Sequence, residues 1–169
     1  MGTKRVVFLP VAGIALALDQ LGKSHVTQLL EVGARQPIIT DVLAWTHVPS
    51  VGGAFGFFRD WLPGSQLIGF ALLSLCAACI IVFFYRGLAP GEQGSAAALG
   101  SILGGIASQT IDRLRYGMGL DFLHIGPVSS NTVPDFNVAD IAIVLGVVTL
   151  IIELLASEMA ARAAERPRV

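Results

Sequence analysis

Long stretches without charge alternate with short polar segments along this chain. The clearest stretch lies between Asp60 and Arg86, where no residue is charged. It exceeds the ~20 apolar residues that a helix needs to cross a bilayer. A second, from 93 to 111, is rich in Gly and Ala, as closely packed membrane helices often are. A third hydrophobic stretch begins near residue 137 and ends near 156, and its only interior charges are Asp140 near the start and Glu153 near the end. Each stretch predicts a membrane-spanning helix.

The N-terminal stretch, residues 6–18, is shorter. Lys4 and Arg5 precede it, and residues 15–17 read Ala-Leu-Ala, so a removable signal peptide is an alternative. We favour an uncleaved span, because Asp19 and Lys23 follow at one-turn spacing and extend the helix. The whole chain, 1–169, is thus predicted as a single membrane domain with spans at about 5–23, 64–85, 94–112 and 137–156.

The fold class predicted is an all-α membrane protein of four transmembrane helices with a small extracytoplasmic β-containing cradle. The extracytoplasmic loops would cover about 24–62 and 113–136. β-Prone runs at 37–40 and 42–48 indicate the strands of the cradle. Four spans place both termini on one side, and the basic residues near the termini and at Arg86 assign that side to the cytoplasm.

Composition agrees with a membrane protein and narrows its chemistry. Hydrophobic residues make up 54% of the chain and charged ones 14%, against about a quarter in soluble proteins. The net charge of −1 gives no reason to expect nucleic acid. We interpret Cys76 and Cys79 as small residues packed within a helix. His25, His47 and His124 share no metal-ligand spacing, so we expect surface positions for them and no metal or cofactor.

The most informative residues are two aspartates. Asp140 lies three residues into the last span, and Asp121 lies in the connection before it. An ionisable group at membrane depth costs about 2.5–3.5 kcal/mol on insertion scales, so it is a functional candidate. The pair predicts acid/base chemistry with a shared proton. Alternatively, Asp140 complements a helix that Asn137 caps, and Asp121 is an ordinary loop carboxylate.

Two further pairs of charges have structural interpretations. Asp112 stands beside Arg113, which favours an ion pair that closes the third helix. Asp19 and Lys23 are spaced i, i+4 and stabilise the first helix. In the predicted topology all four collect near the outer leaflet, together with Gln109 and the two aspartates.

Taken together, these residues resemble the lipoprotein signal peptidase family, signal peptidase II, over nearly the whole chain. The matching motifs are DQxxK at 19–23, NxGxAF at 50–55, GGxxGNxxDR at 104–113, VxDF at 119–122 and FNxAD at 136–140. Ser50 stands where the family has Asn, Ser108-Gln109 replaces its Gly-Asn, and Gly119 occupies its Val position.

The resemblance implies a monomeric aspartyl peptidase of the bacterial inner membrane, active near the extracytoplasmic leaflet. Its substrates would be diacylglyceryl-modified prolipoproteins, cut before the lipidated cysteine, with membrane lipids around it and no cofactor. Asp121 and Asp140 would be catalytic. Substrate-binding and supporting roles would fall on the following residues: Asp19, Lys23, Ser50, Gly52, Phe55, Gln109, Asp112, Arg113 and Asn137.

Two other functions stay open at this point. A catalytically altered relative would bind lipopeptide or inhibitor without efficient cleavage, which the changes at Ser50 and Ser108-Gln109 favour. A small proton-coupled transporter would use the same carboxylates, although the chain has no internal repeat of the kind common in transporters.

Overall fold

The computed structural model describes residues 3–50 and 63–164. In this part of the chain the helices are α1 (Thr3–Leu29), α2 (Pro63–Gly87), α3 (Gln93–Tyr116) and α4 (Val138–Ala164), and the strands are β1 (Arg35–Ile39), β2 (Leu43–Ser50) and β3 (Gly119–Ile125). The mostly helical fold with a small sheet is confirmed. Three helices, Lys4–Leu29, Ser65–Gly87 and Val138–Ala164, are long and apolar enough to cross a membrane. The fourth, α3, is more polar, so a four-span topology remains a prediction.

Helix α3 lies at the centre and packs against the other three helices. Its contact with α1 depends on Gly100 and Gly104, one turn apart. A Cβ at Gly100 would lie 2.5 Å from the carbonyl oxygen of Phe8, and one at Gly104 would lie 2.3 Å from that of Ala12. Only glycine therefore lets the two backbones come this close, which is the packing typical of small residues in membrane helices.

The contact between α3 and α4 is built in the same way. A Cβ at Gly105 would lie 2.7 Å from the carbonyl oxygen of Ala139, and one at Gly146 would lie 2.7 Å from that of Ala98. These pairs run in opposite directions along the chain, so α3 and α4 are antiparallel. The pairs between α3 and α1 run in the same direction, so these two helices are parallel.

Lys4 places the end of α2 beside the start of α1. Its Nζ donates to the carbonyl oxygens of Tyr85, Arg86 and Leu88, at 3.3, 3.4 and 2.6 Å. A cation is favourable there because the last carbonyls of a helix lack partners and carry partial negative charge. The starts of α1 and α3 and the ends of α2 and α4 therefore lie at one end of the bundle, and the sheet lies at the other.

The sheet is antiparallel in the order β1-β2-β3. The first two strands were predicted, but β3 was assigned to a connection, so the strand position of Asp121 is a finding of the structure. Phe122, 2% exposed, fixes β3 to α1. Its ring fills the space beside Gly22, where a Cβ would lie 2.4 Å from the ring. The strand is thereby held against the helix bundle.

Two predictions about single residues were wrong. Cys76 and Cys79 are exposed on α2, because this helix turns most of its apolar side chains outward, where lipid would cover them. His124 is fully buried in β3, whereas His25 is exposed and His47 is half-buried. The burial of His124 follows from the strand, whose alternation turns this side chain to the inner face of the sheet.

Candidate active site

Asp121 and Asp140 are joined by one residue, Asn137. The Nδ2 of Asn137 donates to Oδ1 of Asp121 at 2.7 Å and to the carbonyl oxygen of Leu120 at 3.2 Å. The backbone N–H of Asn137 donates to Oδ2 of Asp140 at 3.2 Å. The strand that carries Asp121 and the helix that carries Asp140 therefore bring both carboxylates to the same fully buried residue, one to its side chain and one to its backbone N–H.

The start of α4 is capped by this same group. The N–H of Asp140 donates to Oδ1 of Asn137 at 3.0 Å, while Asp140 accepts from the N–H of Asn137. Such a reciprocal capping box satisfies two backbone donors that a helix start leaves without partners. The structure therefore contains the helix cap that the sequence offered as an alternative role for Asn137 and Asp140. This cap also holds the Asp140 carboxylate at the N–H of Asn137, the residue whose side chain binds Asp121.

Gln109 extends the site to α3. Its Nε2 donates to Oδ1 of Asp140 at 2.9 Å and to Oδ1 of Asn137 at 3.1 Å. Its Oε1 accepts from Nη1 of Arg113 at 2.5 Å, so the amide orientation is determined from both sides. The residue that replaces the Asn of the family motif therefore reaches one of the two carboxylates directly.

Arg113 supplies positive charge near the pair. Its guanidinium lies 3.9 Å from the centroid of the Phe70 ring, a cation–π contact, and interacts electrostatically with Asp121 and Asp140. Gly119 makes room for it, because a Cβ there would lie 3.1 Å from Nη1. The Gly in place of the motif's Val is consequently a position where the arginine lies close to the strand.

The environment of Asp121 favours its protonated form. Burial, and after it the nearby charge of Asp140, raise the pKa of Asp121 from 3.8 to about 6. Hydrogen bonds from Ser50 and Asn137 oppose that rise, because they stabilise the carboxylate. Ser50 lies on β2 directly opposite Gly119, so the hydroxyl that replaces the motif's amide still reaches Asp121.

A second buried polar cluster lies beside the residues around Asp121 and Asp140 and is linked to them through the first turn of α4. Nζ of Lys23 forms ion pairs with Oδ2 of Asp19 and Oδ2 of Asp112, and all three side chains are almost completely buried. Oδ1 of Asp19 accepts from the N–H of Ala139 at 2.9 Å. The cluster therefore ties α1 to α3 and satisfies a further backbone donor in the first turn of α4, one residue before Asp140.

Sequence reasoning missed two members of this cluster. Nε2 of Gln20 donates to Oγ of Ser108 and to Oδ1 of Asp112, both at 2.8 Å. Oγ of Ser108 in turn donates to Oδ2 of Asp19 at 2.7 Å. Gln20 is the second residue of the DQxxK motif, so the motif contained the signal, but no role followed from its spacing alone.

Most of the predicted site residues converge, and one predicted contact was wrong. Asp112 does not pair with Arg113 but with Lys23, since adjacent residues on a helix point in different directions. The i, i+4 pair of Asp19 and Lys23 is present. Gly52 and Phe55 lie outside the described residues. Within the described part, no three His, Cys, Asp or Glu side chains group as a metal site would require.

Comparison with known proteins gives consistent similarities. The family model described as signal peptidase (SPase) II matches residues 11–156. A lipoprotein signal peptidase of Pseudomonas aeruginosa (strain UCBPP-PA14) is 32% identical over 160 residues, covering 95% of this chain and 94% of that protein. One of Desulforapulum autotrophicum is 33% identical over 156 residues, covering 92% and 96%.

Solved structures show the same fold. One, described as a bacterial membrane enzyme, has a TM-score of 0.80 at 21% identity and covers 100% of this chain and 94% of its own. Another with the same description has a TM-score of 0.76 at 24% identity and covers 92% and 94%. At these identities the likeness concerns the fold alone.

Proposed function

The chain belongs to the signal peptidase II family, and on this premise we propose that it removes signal peptides from diacylglyceryl-modified prolipoproteins by aspartic catalysis. The observation that carries the proposal is the shared contact of Asp121 and Asp140 with Asn137. The charge of Asp140 acts on Asp121, and two carboxylates that repel each other while largely out of water cannot both ionise at low cost. The pair therefore holds one proton between them, as in aspartic proteases.

We assign the base to Asp140 and the proton donor to Asp121. Asp140 faces two hydrogen-bond donors, the N–H of Asn137 and Nε2 of Gln109, and lies in the first turn of α4, where the helix favours negative charge. Asp121 has a raised pKa of about 6 and so retains its proton more readily. Because the two groups titrate together, the macroscopic values belong to the pair.

The reaction needs only these two groups and water. Asp140 takes a proton from water as the water oxygen bonds to the scissile carbonyl carbon, and Asp121 gives its proton to the carbonyl oxygen. The C–N bond then breaks. The amine takes the proton from Asp140, and the proton on the former carbonyl oxygen returns to Asp121. The products are a carboxylic acid and a free amine, and both aspartates regain their starting state.

The fold supports a lipid-bearing substrate. Helices α2 and α4 expose apolar side chains over most of their length, and these surfaces suit diacyl chains that lie in the same bilayer. Four spans with both termini in the cytoplasm would put the site near the extracytoplasmic leaflet of the inner membrane. Lys4 and Arg86 lie at the same end of the bundle, and basic residues are enriched on the cytoplasmic side of membrane proteins, which supports that orientation.

Replacement of either aspartate tests the proposal. Asp121→Asn and Asp140→Asn should each abolish cleavage of a purified diacylated precursor, since removal of a central catalytic group lowers kcat by several orders of magnitude. Asp41→Asn is the matched control, because Asp41 is an exposed carboxylate in the turn between β1 and β2. Unchanged cleavage by either site variant would refute the acid/base assignment.

A second candidate is a relative that binds lipopeptide or inhibitor without efficient cleavage, and the departures at Ser50 and Gln109 favour it. Two contacts argue against it: Ser50 hydrogen-bonds to Asp121, and Gln109 hydrogen-bonds to Asp140. The same assay distinguishes the two, because the relative would bind precursor with high affinity and leave it uncut in the unmodified protein.

A further inference from the structure

The loop between β3 and α4, residues 126–137, connects the strand of Asp121 to the helix of Asp140. Its last part is joined to β3 by backbone hydrogen bonds. The N–H groups of Phe122 and Leu123 donate to the carbonyl oxygen of Phe136 at 3.1 and 2.8 Å, and the N–H of Phe136 donates to that of Leu123 at 3.0 Å. Asn137 follows directly, so the geometry of this loop determines how the two aspartates meet.

One arginine of β1 holds the rest of the loop. The guanidinium of Arg35 donates four hydrogen bonds: to the carbonyl oxygens of Val128 (3.1 Å) and Ser130 (2.8 Å), to Oδ1 of Asn131 (3.0 Å) and to Oδ2 of Asp135 (2.8 Å). The side chain is only 17% exposed. A planar guanidinium suits this arrangement because its donors are set in a rigid fork, which a lysine ammonium cannot reproduce.

Asp135 connects the arginine to a buried histidine. Its second oxygen, Oδ1, lies 2.7 Å from Nδ1 of His124, whose Nε2 lies 3.1 Å from the carbonyl oxygen of Pro127. His124 is completely buried and stands three residues after Asp121 on the same strand. Asp135 stands two residues before Asn137. The contact therefore joins the two segments that carry the proposed acid pair, at a short distance along each.

We propose that Arg35, Asp135 and His124 form a clamp that positions Asp121 against Asp140, and that all three are positioning residues for cleavage. This inference rests on the proposed function. The clamp contacts the loop and the sheet and neither aspartate directly, so it acts through the placement of β3 relative to Asn137. A displacement of about 1 Å at reacting groups costs up to ~100-fold in rate.

The test compares kcat and KM of Arg35→Ala, Arg35→Lys and Asp135→Asn on a diacylated precursor. Arg35→Ala should lower kcat about 10-fold or more with KM changed less than about twofold, because the apolar surfaces that hold the acyl chains stay intact. Arg35→Lys should recover part of the loss, since it retains the charge opposite Asp135 but not the fork. Arg162→Ala, which removes an exposed ion pair with Glu158, is the matched control and should cleave normally.

The pH profile distinguishes positioning from simple loss of stability. The nearby charge of Asp140 contributes to the raised pKa of Asp121, so a looser pair should lower that pKa. The alkaline limb of kcat/KM should then move to lower pH in Arg35→Ala and in Asp135→Asn. A variant that is only less stable would lose active protein without moving the limb.

The clamp would be overturned if Arg35→Ala and Asp135→Asn kept the wild-type kcat and the wild-type position of the alkaline limb. It would also be overturned if these variants changed only KM. If Arg35→Ala does not fold in detergent, Asp135→Asn decides by the same two criteria, because Asn has nearly the shape of Asp. The failure of the proposed function is recognised separately. Active Asp121→Asn overturns the acid pair itself, whereas inactive Asp121→Asn beside fully active clamp variants overturns only the clamp.

Discussion

Replacing Asp121 by Asn should stop cleavage and at the same time stabilise the folded protein at neutral and alkaline pH. The amide keeps an oxygen that accepts from Nδ2 of Asn137, so the contact at 2.7 Å has a counterpart in the variant. The substitution removes a carboxylate whose ionised form is disfavoured by burial and by the charge of Asp140. Active sites that hold such groups commonly lower stability in exchange for activity.

The magnitude follows from the pKa of Asp121, which rises from 3.8 to about 6 on folding. Since one pKa unit corresponds to about 1.4 kcal/mol, ionised Asp121 lowers the free energy of unfolding by about 3 kcal/mol. The folded state binds this proton more tightly than the unfolded state. As far as Asp121 is concerned, the free energy of unfolding of the wild type is therefore highest below about pH 4 and falls as the pH rises to about 6.

The assay is reversible unfolding in detergent micelles of wild type, Asp121→Asn and the exposed control Asp41→Asn, across this pH range. The difference between Asp121→Asn and wild type should be near zero below about pH 4 and reach about 3 kcal/mol above about pH 6. The control should follow the wild type throughout. A variant less stable than wild type at about pH 8, or a difference independent of pH, would refute the reasoning.

Three further outcomes are expected. The kcat/KM of cleavage should fall as the pH rises through about 6, the pKa of Asp121, because the free enzyme loses its proton donor there; a flat profile to about pH 9 would contradict this. Lys23→Met should lower the free energy of unfolding by about 3–5 kcal/mol, because it leaves the buried carboxylates of Asp19 and Asp112 without a cation. Arg162→Ala is the control: it removes an exposed ion pair and should lower the free energy of unfolding by at most about 1 kcal/mol. Gly104→Ala should lower the free energy of unfolding by about 1–3 kcal/mol, because the added methyl group pushes α1 away from α3. Gly13→Ala is the control and should be neutral or slightly stabilising, because no atom lies within 4 Å of the added Cβ. Equal effects of the two variants in thermal unfolding would show that α1 and α3 are not in close contact.

The helices were predictable because their signal is local. A run of apolar residues long enough to cross a bilayer needs a helix to satisfy its backbone, whatever its neighbours are. The observed helices extend several residues beyond the predicted spans, since polar ends such as 24–29 of α1 continue the same hydrogen bonding. The weaker hydrophobicity of α3 has a tertiary cause: it is the central helix, and its Gly, Ser and Gln residues contact other helices.

The strand β3 was not predictable in the same way. Residues 119–125 are short and contain an aspartate, so nothing local separates them from a loop. They form a strand because β2 supplies the hydrogen-bond partners and Phe122 packs over Gly22. Both partners are distant in sequence, and no periodicity within the segment indicates them.

By itself, the sequence determined that this protein has apolar helices, that acidic residues stand at the start of the last one, and which family motifs surround them. Only the tertiary structure decided which charges meet. Asp112 pairs with Lys23 rather than with Arg113, and His124 is buried against Asp135 rather than exposed. The physical reason is that an ion pair depends on the direction of side chains across packed elements, whereas the sequence records only their order along one chain.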